Sequence, residues 1–238
     1  MKLQRYEESF DTLHVGCMEN RAYYIPCADE AEALRAPAFS SRCLLLSGDW
    51  EFGWFERVEE VPEDFYQPGA AREGFRTIPV PSVWQTQGYD RHQYVNTRYP
   101  FPFDPPYPPA DNPCGAYVRT FALKKEAGRC YTLNFEGVDS CFYLWLNGRF
   151  AGFSQVSHST SEFDVTELVE DGVNTIAVLV LKWCFGSYLE DQDKFRMSGI
   201  FRDVYLLERP QNHVRDYFVR TELLPDGSAQ VGVRLCRQ

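Results

Sequence analysis

The chain has 238 residues, 44% of them apolar, and a formal net charge of −10. That length allows one large domain, or one plus part of another, and the charge argues against nucleic acid and anionic membrane as partners. Aromatic residues reach 16%, which favours β structure and carbohydrate-facing surfaces over helical bundles.

The opening MKLQRYEESFDTLHVG has no apolar core of a secretory signal, and no apolar run reaches the 18 residues a membrane helix needs. Ala28 to Arg35 predicts a short helix. Leu44 to Phe55, LLLSGDWEFGWF, predicts strand, turn, strand, and the acidic stretch from Glu56 to Asp64 a solvated edge. Residues 100–113 carry seven prolines, too many for a ladder strand. Phe101, Phe103 and Tyr107 interleave with them, so a rigid loop crossing the fold is expected rather than a ligand for another domain.

Strand patterns dominate from about residue 115. Tyr117 to Leu123 alternates, and Tyr131, Leu133 and Phe135 alternate with Thr132 and Asn134 as in a half-buried strand. Cys141 to Leu146 and Thr175 to Leu181 are apolar on both faces, which predicts central strands. Asn147-Gly148 is a strong hairpin turn signal, with Arg149 to Phe153 as the returning strand. Val204 to Leu207 starts another strand, and a boundary falls near Arg209-Pro210. Beyond it, Val214 to Leu223 and Gln230 to Leu235 flank the turn Pro225-Asp226-Gly227. The pattern reads as an all-β fold, an antiparallel sandwich with jelly-roll connections.

The eight cysteines stand ten or more residues apart, which excludes CxxC redox pairs and the usual zinc knuckles. Reduced thiols and the absence of a signal predict a cytoplasmic protein, while the even cysteine count also suits a secreted one whose leader was removed. The four histidines, His14, His92, His158 and His213, are scattered and form no HExxH pattern. The tryptophans read mainly as core residues. Trp84, in a proline-flanked segment, is the one to test as a stacking face for a sugar.

The densest chemistry lies in SYLEDQDKFRMSGIFRDV, Ser187 to Val204. Glu190, Asp191 and Asp193 repel one another unless cations or donors hold them, while Phe195 and Phe201 offer faces to the C–H side of a sugar ring. A structured loop at a polar binding site satisfies both demands. By residue type alone Asp193 reads first as an ion-paired loop carboxylate, bound to Arg196 or Arg202, and Glu190 and Asp191 read as structural. A retaining glycosidase needs two carboxyl groups about 5–5.5 Å apart. Nothing in the sequence sets one member of this acidic cluster apart from another as acid and nucleophile.

Several blocks together resemble the glycoside hydrolase family 2 β-galactosidases of the large bacterial type. They are LLLSGDWEFGWF from Leu44, VPSVWQTQGYD from Val80, YVNTRYPF from Tyr94, DNPCGAYVRTF from Asp111, FEGVDSCFYLWLNGRFAGFSQVSHSTSEFDVTELV from Phe135 and SYLEDQDKFRMSGIFRDVYLLERP from Ser187. The resemblance implies an N-terminal arm over residues 1–30, a jelly-roll sugar-binding domain over 31–210, and the start of an immunoglobulin-like domain over 211–238. A TIM barrel with the catalytic glutamates would follow. A barrel takes about 250 residues, so those glutamates would lie outside this chain, which would be inactive alone.

The resemblance also implies that Asn96 and Asp193 bind substrate at the galactose pocket, with Asp193 helping to hold a sodium ion once the barrel is present. Sodium and magnesium are thus implied for the whole enzyme. Gln155 matches one side chain of a second magnesium site, but Phe185 stands where the family places an aspartate, so that ion is not expected here. The implied partners are a β-galactoside such as lactose, the remaining domains of the same polypeptide, and further copies in a homo-oligomer. The competing readings are a stand-alone, non-catalytic carbohydrate-binding module and another family 2 enzyme, such as a β-glucuronidase or β-mannosidase.

Overall fold

The two runs that are apolar on both faces, at Cys141 and Thr175, lie side by side inside the larger of two facing sheets. The structure is a computed structural model and describes residues 2–35, 40–96, 98–190 and 193–237. In chain order the first strands are β1 (His14–Val15), β2 (Cys43–Leu45), β3 (Gly48–Phe55), β4 (Arg76–Val80) and β5 (Cys114–Leu123). Next come β6 (Arg129–Phe135), β7 (Val138–Asp139), β8 (Cys141–Leu146), β9 (Arg149–Ser154), β10 (Ser161–Asp164) and β11 (Gly172–Leu181). The short β12 (Gly199–Ile200) precedes β13 (Val204–Pro210), β14 (Val214–Leu223) and β15 (Ala229–Arg237). Two four-residue helices, α1 (Glu30–Ala33) and α2 (Gly186–Leu189), sit in the connections.

A seven-stranded sheet has the order β1-β9-β8-β11-β5-β3-β4, and a four-stranded sheet the order β10-β6-β13-β2. All pairings are antiparallel, so the expected β-sandwich is formed. The segment from Leu44 to Phe55 is indeed strand, turn, strand, but its halves enter different sheets: β2 pairs with β13, and β3 with β4 and β5. Asn147 and Gly148 both have positive φ, 51° and 75°, as a tight turn between β8 and β9 requires.

Apolar side chains fill two layers. Between the sheets, Trp50, Phe52, Phe135, Phe142, Phe163 and Leu206 pack together. The outer face of the seven-stranded sheet carries Tyr143, Trp145, Phe153 and Leu179, covered by Val61 and Phe65 and by Tyr6 of the N-terminal segment. This second layer is why β8 and β11 need apolar residues on both faces. The acidic stretch after Phe55 is therefore only partly solvated: its glutamates are exposed, but Val61 and Phe65 are buried. The N-terminal segment docks by β1–β9 pairing and by the Tyr143 hydroxyl, which bonds Glu7.

Two readings of the sequence need correction. Strand β6 is not half-buried, since Thr132 and Asn134 are as hidden as their apolar neighbours. Arg209 and Glu162 lie on that face, with Arg21 and Tyr24 of the N-terminal segment beside them; Arg209 and Thr132 both bond Glu162. A distant segment has turned a polar face inward. Trp84 offers no face to a sugar: it is 0% exposed, and its indole N–H donates to the Tyr117 hydroxyl at 2.5 Å.

The hairpin β14–β15 pairs along its length, from Val214↔Arg237 to Leu223↔Ala229. Val219, Val231, Val233 and Leu235 are all exposed. Residues 19–22 link it to the sandwich. The Ala22 amide donates to Asp216 at 2.7 Å, and Arg215 Nη2 donates to the Glu19 carbonyl at 2.6 Å.

Candidate sugar-binding site

Two loops far apart in sequence meet at one end of the sandwich. The Ser82 amide donates to the Ile200 carbonyl, and the Trp84 amide to the Ser198 carbonyl, each at 2.9 Å. This pairing runs the chain that leads into residues 91–96 alongside the chain that leaves residues 193–197. Asp90 is tied to the buried ammonium of Lys182. Gln85 adds two links: its Oε1 accepts from the Ser198 amide at 3.0 Å, and its Nε2 donates to Asp90 at 3.2 Å. Beyond these anchors, the Arg196 amide donates to the Gln93 carbonyl at 2.9 Å and closes the two loops on each other.

At that junction the Tyr94 hydroxyl donates to Asp193 Oδ1, and Asn96 Nδ2 donates to the same hydroxyl at 3.4 Å. The two residues singled out in the sequence, Asn96 and Asp193, are thus brought together, with Tyr94 between them. Asn96 has φ 56°, a left-handed conformation that asparagine tolerates better than most residues. The hydrogen bond to Asp193 is the main cause that pushes the Tyr94 phenol above its ordinary pKa, because ionising it would set two negative charges in contact. Phe195 lies against Tyr94 and His92, with ring centroids 5.6 and 5.9 Å away. Tyr94, Asn96, Asp193 and Phe195 are all solvent-exposed.

The loop bearing Asp193 is held on its inner side. Glu190 accepts from the Ser157 amide at 3.2 Å and lies 2.6 Å from the Ser157 hydroxyl. Arg196 Nη1 donates to the Glu190 carbonyl at 3.1 Å, and Arg202 Nη1 to the His158 carbonyl at 3.3 Å. The Glu190 carboxylate thus ties this loop to Ser157 rather than to a loop arginine. Asp191 lies outside the described residues. The proline-rich loop packs beside this end: Tyr99 Oη donates to the Tyr188 carbonyl at 2.9 Å, and Tyr188 Oη to the Tyr107 carbonyl at 2.6 Å.

A carboxylate, a phenol and a primary amide on an exposed aromatic shelf suit a polyhydroxylated ligand. Each can exchange hydrogen bonds with hydroxyls, and the rings can cover C–H faces. Glu190 turns to Ser157 and Asp193 to Tyr94. Tyr94 is the member that the sequence reading left out. Its only signal is the i, i+2 spacing from Asn96, which in an extended segment puts both side chains on one side.

Among the described residues, no group of three or more His, Cys, Asp or Glu side chains could hold a metal ion. Asp193 offers one carboxylate where a hard cation wants six or more oxygens. Gln155 is occupied, with Nε2 donating to the Thr12 carbonyl and Oε1 accepting from the Gly186 amide. Phe185 packs on Phe10 with centroids 4.5 Å apart, and its ring offers no oxygen to a hard cation.

Residues 44–210 match the family described as glycosyl hydrolases family 2, sugar binding domain. The chain is 50% identical to a β-galactosidase of Actinobacillus pleuropneumoniae over 94% of its own length, and 46% identical to one of Staphylococcus xylosus over 100%. It spans only 22% and 24% of those relatives. Among solved structures, a β-glycosidase from Bacteroides vulgatus superposes with a TM-score of 0.61 at 21% identity, covering 82% of this chain and 24% of that one. A β-glucuronidase from Ruminococcus gnavus does so with a TM-score of 0.61 at 18% identity, covering 82% and 34%. At those identities the structures speak for the fold.

Proposed function

Because this chain belongs to glycosyl hydrolase family 2 and carries its sugar-binding domain, we propose that it serves a β-galactosidase that removes terminal β-D-galactose from galactosides such as lactose. The observation that carries this reading is the meeting of Asn96 and Asp193 on either side of the Tyr94 hydroxyl. In this reading the exposed shelf forms one wall of a galactose pocket, and carboxylates from further chain supply the chemistry. The wall holds the sugar hydroxyls so that the anomeric carbon faces those acids, which lowers the entropy cost of reaching the transition state. The relatives' greater length supports a polypeptide with further domains. We read residues 1–30 as an arm, 31–210 as the sugar-binding domain and 211–238 as the opening of an immunoglobulin-like domain.

When bound, a sodium ion would fix a sugar hydroxyl, and Asp193 is the group on this chain that would help hold it; magnesium belongs with the catalytic domain. Eight free thiols suit a reducing cytoplasm, and no helix among the described residues is long and apolar enough to cross a membrane. We assign the whole enzyme a homo-oligomeric state, which sedimentation with and without residues 1–30 would check.

The test is Asp193→Asn in the β-galactosidase that carries this domain. We expect kcat/KM for a nitrophenyl galactoside to fall on the order of a hundredfold, as for loss of a hydrogen bond to a charged group. The 238-residue chain by itself should release no nitrophenol. Full activity in the variant would remove Asp193 from the site, and preference for a glucuronide in a substrate panel would replace galactose as the sugar. Galactose binding by the chain in a protein that hydrolyses no glycoside would favour the non-catalytic module.

A further inference from the structure

Asp193 and Lys194 are consecutive, yet their side chains reach different partners. Asp193 is exposed and meets Tyr94, while the Lys194 ammonium turns inward to Asp139, 3.6 Å from Oδ2. Asp139 is the last residue of β7 and stands opposite Gly199 of β12 in the sheet register. Its side chain is 13% exposed, that of Lys194 27%. The Ser140 hydroxyl lies 2.6 Å from Asp139 Oδ1 and 2.7 Å from the Lys182 carbonyl, and its single proton can serve one of them at a time.

Burial pushes the Asp139 carboxyl above the ordinary range, and the Lys194 charge opposes this. Glu190 adds to the push and His158 counters it. A buried carboxylate left without a cation is costly, so lifting the loop away would strand Asp139. The pairing is therefore placed to govern where the neighbouring carboxylate sits.

We propose that Lys194 is a positioning residue for Asp193. Its ion pair with Asp139 fixes the loop at the height where Asp193 reaches Tyr94 and, through it, Asn96. The consequence for sugar affinity rests on the galactose-pocket reading above; the positioning itself does not. Glu190 and Arg196 hold the same loop from its two ends, whereas Lys194 acts next to Asp193 itself.

The test has two readouts. In the full chain, a nuclear Overhauser effect between the Tyr94 and Phe195 rings reports whether the loops remain closed. Lys194→Met keeps the apolar stem and removes the charge, and it should weaken that effect while those between the two sheets persist. Lys194→Arg should retain it. Asp139→Asn should resemble Lys194→Met, and the double variant should be no worse than either single. In the β-galactosidase, Lys194→Met should raise KM for a galactoside several-fold with a smaller effect on kcat, and Lys194→Arg should restore it. An undiminished Overhauser effect between the rings in a folded Lys194→Met chain overturns the proposal. Rings that separate while KM stays the same uphold the positioning and instead remove Asp193 from sugar binding.

Discussion

Tyr94 donates its hydroxyl to the carboxylate of Asp193, 99 residues downstream, and so joins two loops that share no strand. The same hydroxyl accepts from Asn96. One phenol therefore orients both polar groups of the candidate site, and its ring lies against Phe195 on the exposed shelf.

Tyr94→Phe removes that shared hydroxyl and keeps the ring. In the β-galactosidase, KM for a galactoside should rise on the order of five- to tenfold, with kcat changed less, because the loss falls on how the sugar is held. The melting temperature should not move, since the hydroxyl sits at the surface. Initial rates over a range of substrate concentrations and a thermal melt check both points. A fall in kcat at constant KM would place Tyr94 in the chemical step instead.

The parts of the fold that were readable in the sequence are those where one residue pattern admits one environment. Cys141 to Leu146 had to be central because both its faces are apolar, and Asn147-Gly148 had to turn because both residues take positive φ. Strand β4, RTIPV, went unread because a proline in a five-residue run argues against a ladder; Pro79 is tolerated on the edge strand of its sheet. β10 is four residues long and carries two acids, too short for a period to show. The burial of Thr132 and Asn134 depends on a segment more than a hundred residues away, which alternation within β6 cannot report. Asn96 and Asp193 came from resemblance to a family, and their physical link through Tyr94 appears only when both loops are in place.

Packing around Trp84 leaves no room for a methyl group at Gly115. A Cβ built there would lie 2.6 Å from the Phe52 ring and 2.8 Å from the Trp84 ring, both in the core between the sheets. Gly115→Ala should therefore destabilise the chain by about 1–3 kcal/mol through overpacking. Trp84→Ala should cost more, about 3–5 kcal/mol, through the cavity it leaves. Urea unfolding curves measure both. A neutral Gly115→Ala would mean that strand β5 can shift away from the aromatic pair.

The N-terminal segment is fastened at a buried point. Glu7 is 2% exposed, accepts from Arg5 Nε at 2.8 Å and bonds the Tyr143 hydroxyl, which also takes the Tyr6 amide at 3.1 Å. Tyr143→Phe removes one partner of a buried carboxylate, which costs about 1–3 kcal/mol. Amide exchange in residues 4–8 should rise by at least tenfold, while exchange in β8 and β11 changes little. Uniform acceleration across the sheet would show instead that the segment and the sandwich open as one unit.

Glu162 gives the clearest dependence on pH. Burial alone would raise its carboxyl; hydrogen bonds from Arg21 and the charges of Arg21, Arg209 and Arg215 outweigh that and hold it at about 2, against 4.5 for a free glutamate. A pKa lowered in the folded state contributes stability that is present above pH 4.5 and is lost as pH falls towards 2. The amount is about 3 kcal/mol for a side chain that is 6% exposed. Glu162→Gln should lose that contribution at neutral pH and lower the melting temperature by on the order of 10 °C. It should also flatten the fall in stability between pH 4.5 and 2. The check is the difference between the two proteins' urea midpoints across that range, since every other carboxylate is common to both. Parallel curves would mean that Arg21 and Arg209 stabilise the fold through their stacking on Tyr24, and that the charge on Glu162 contributes little.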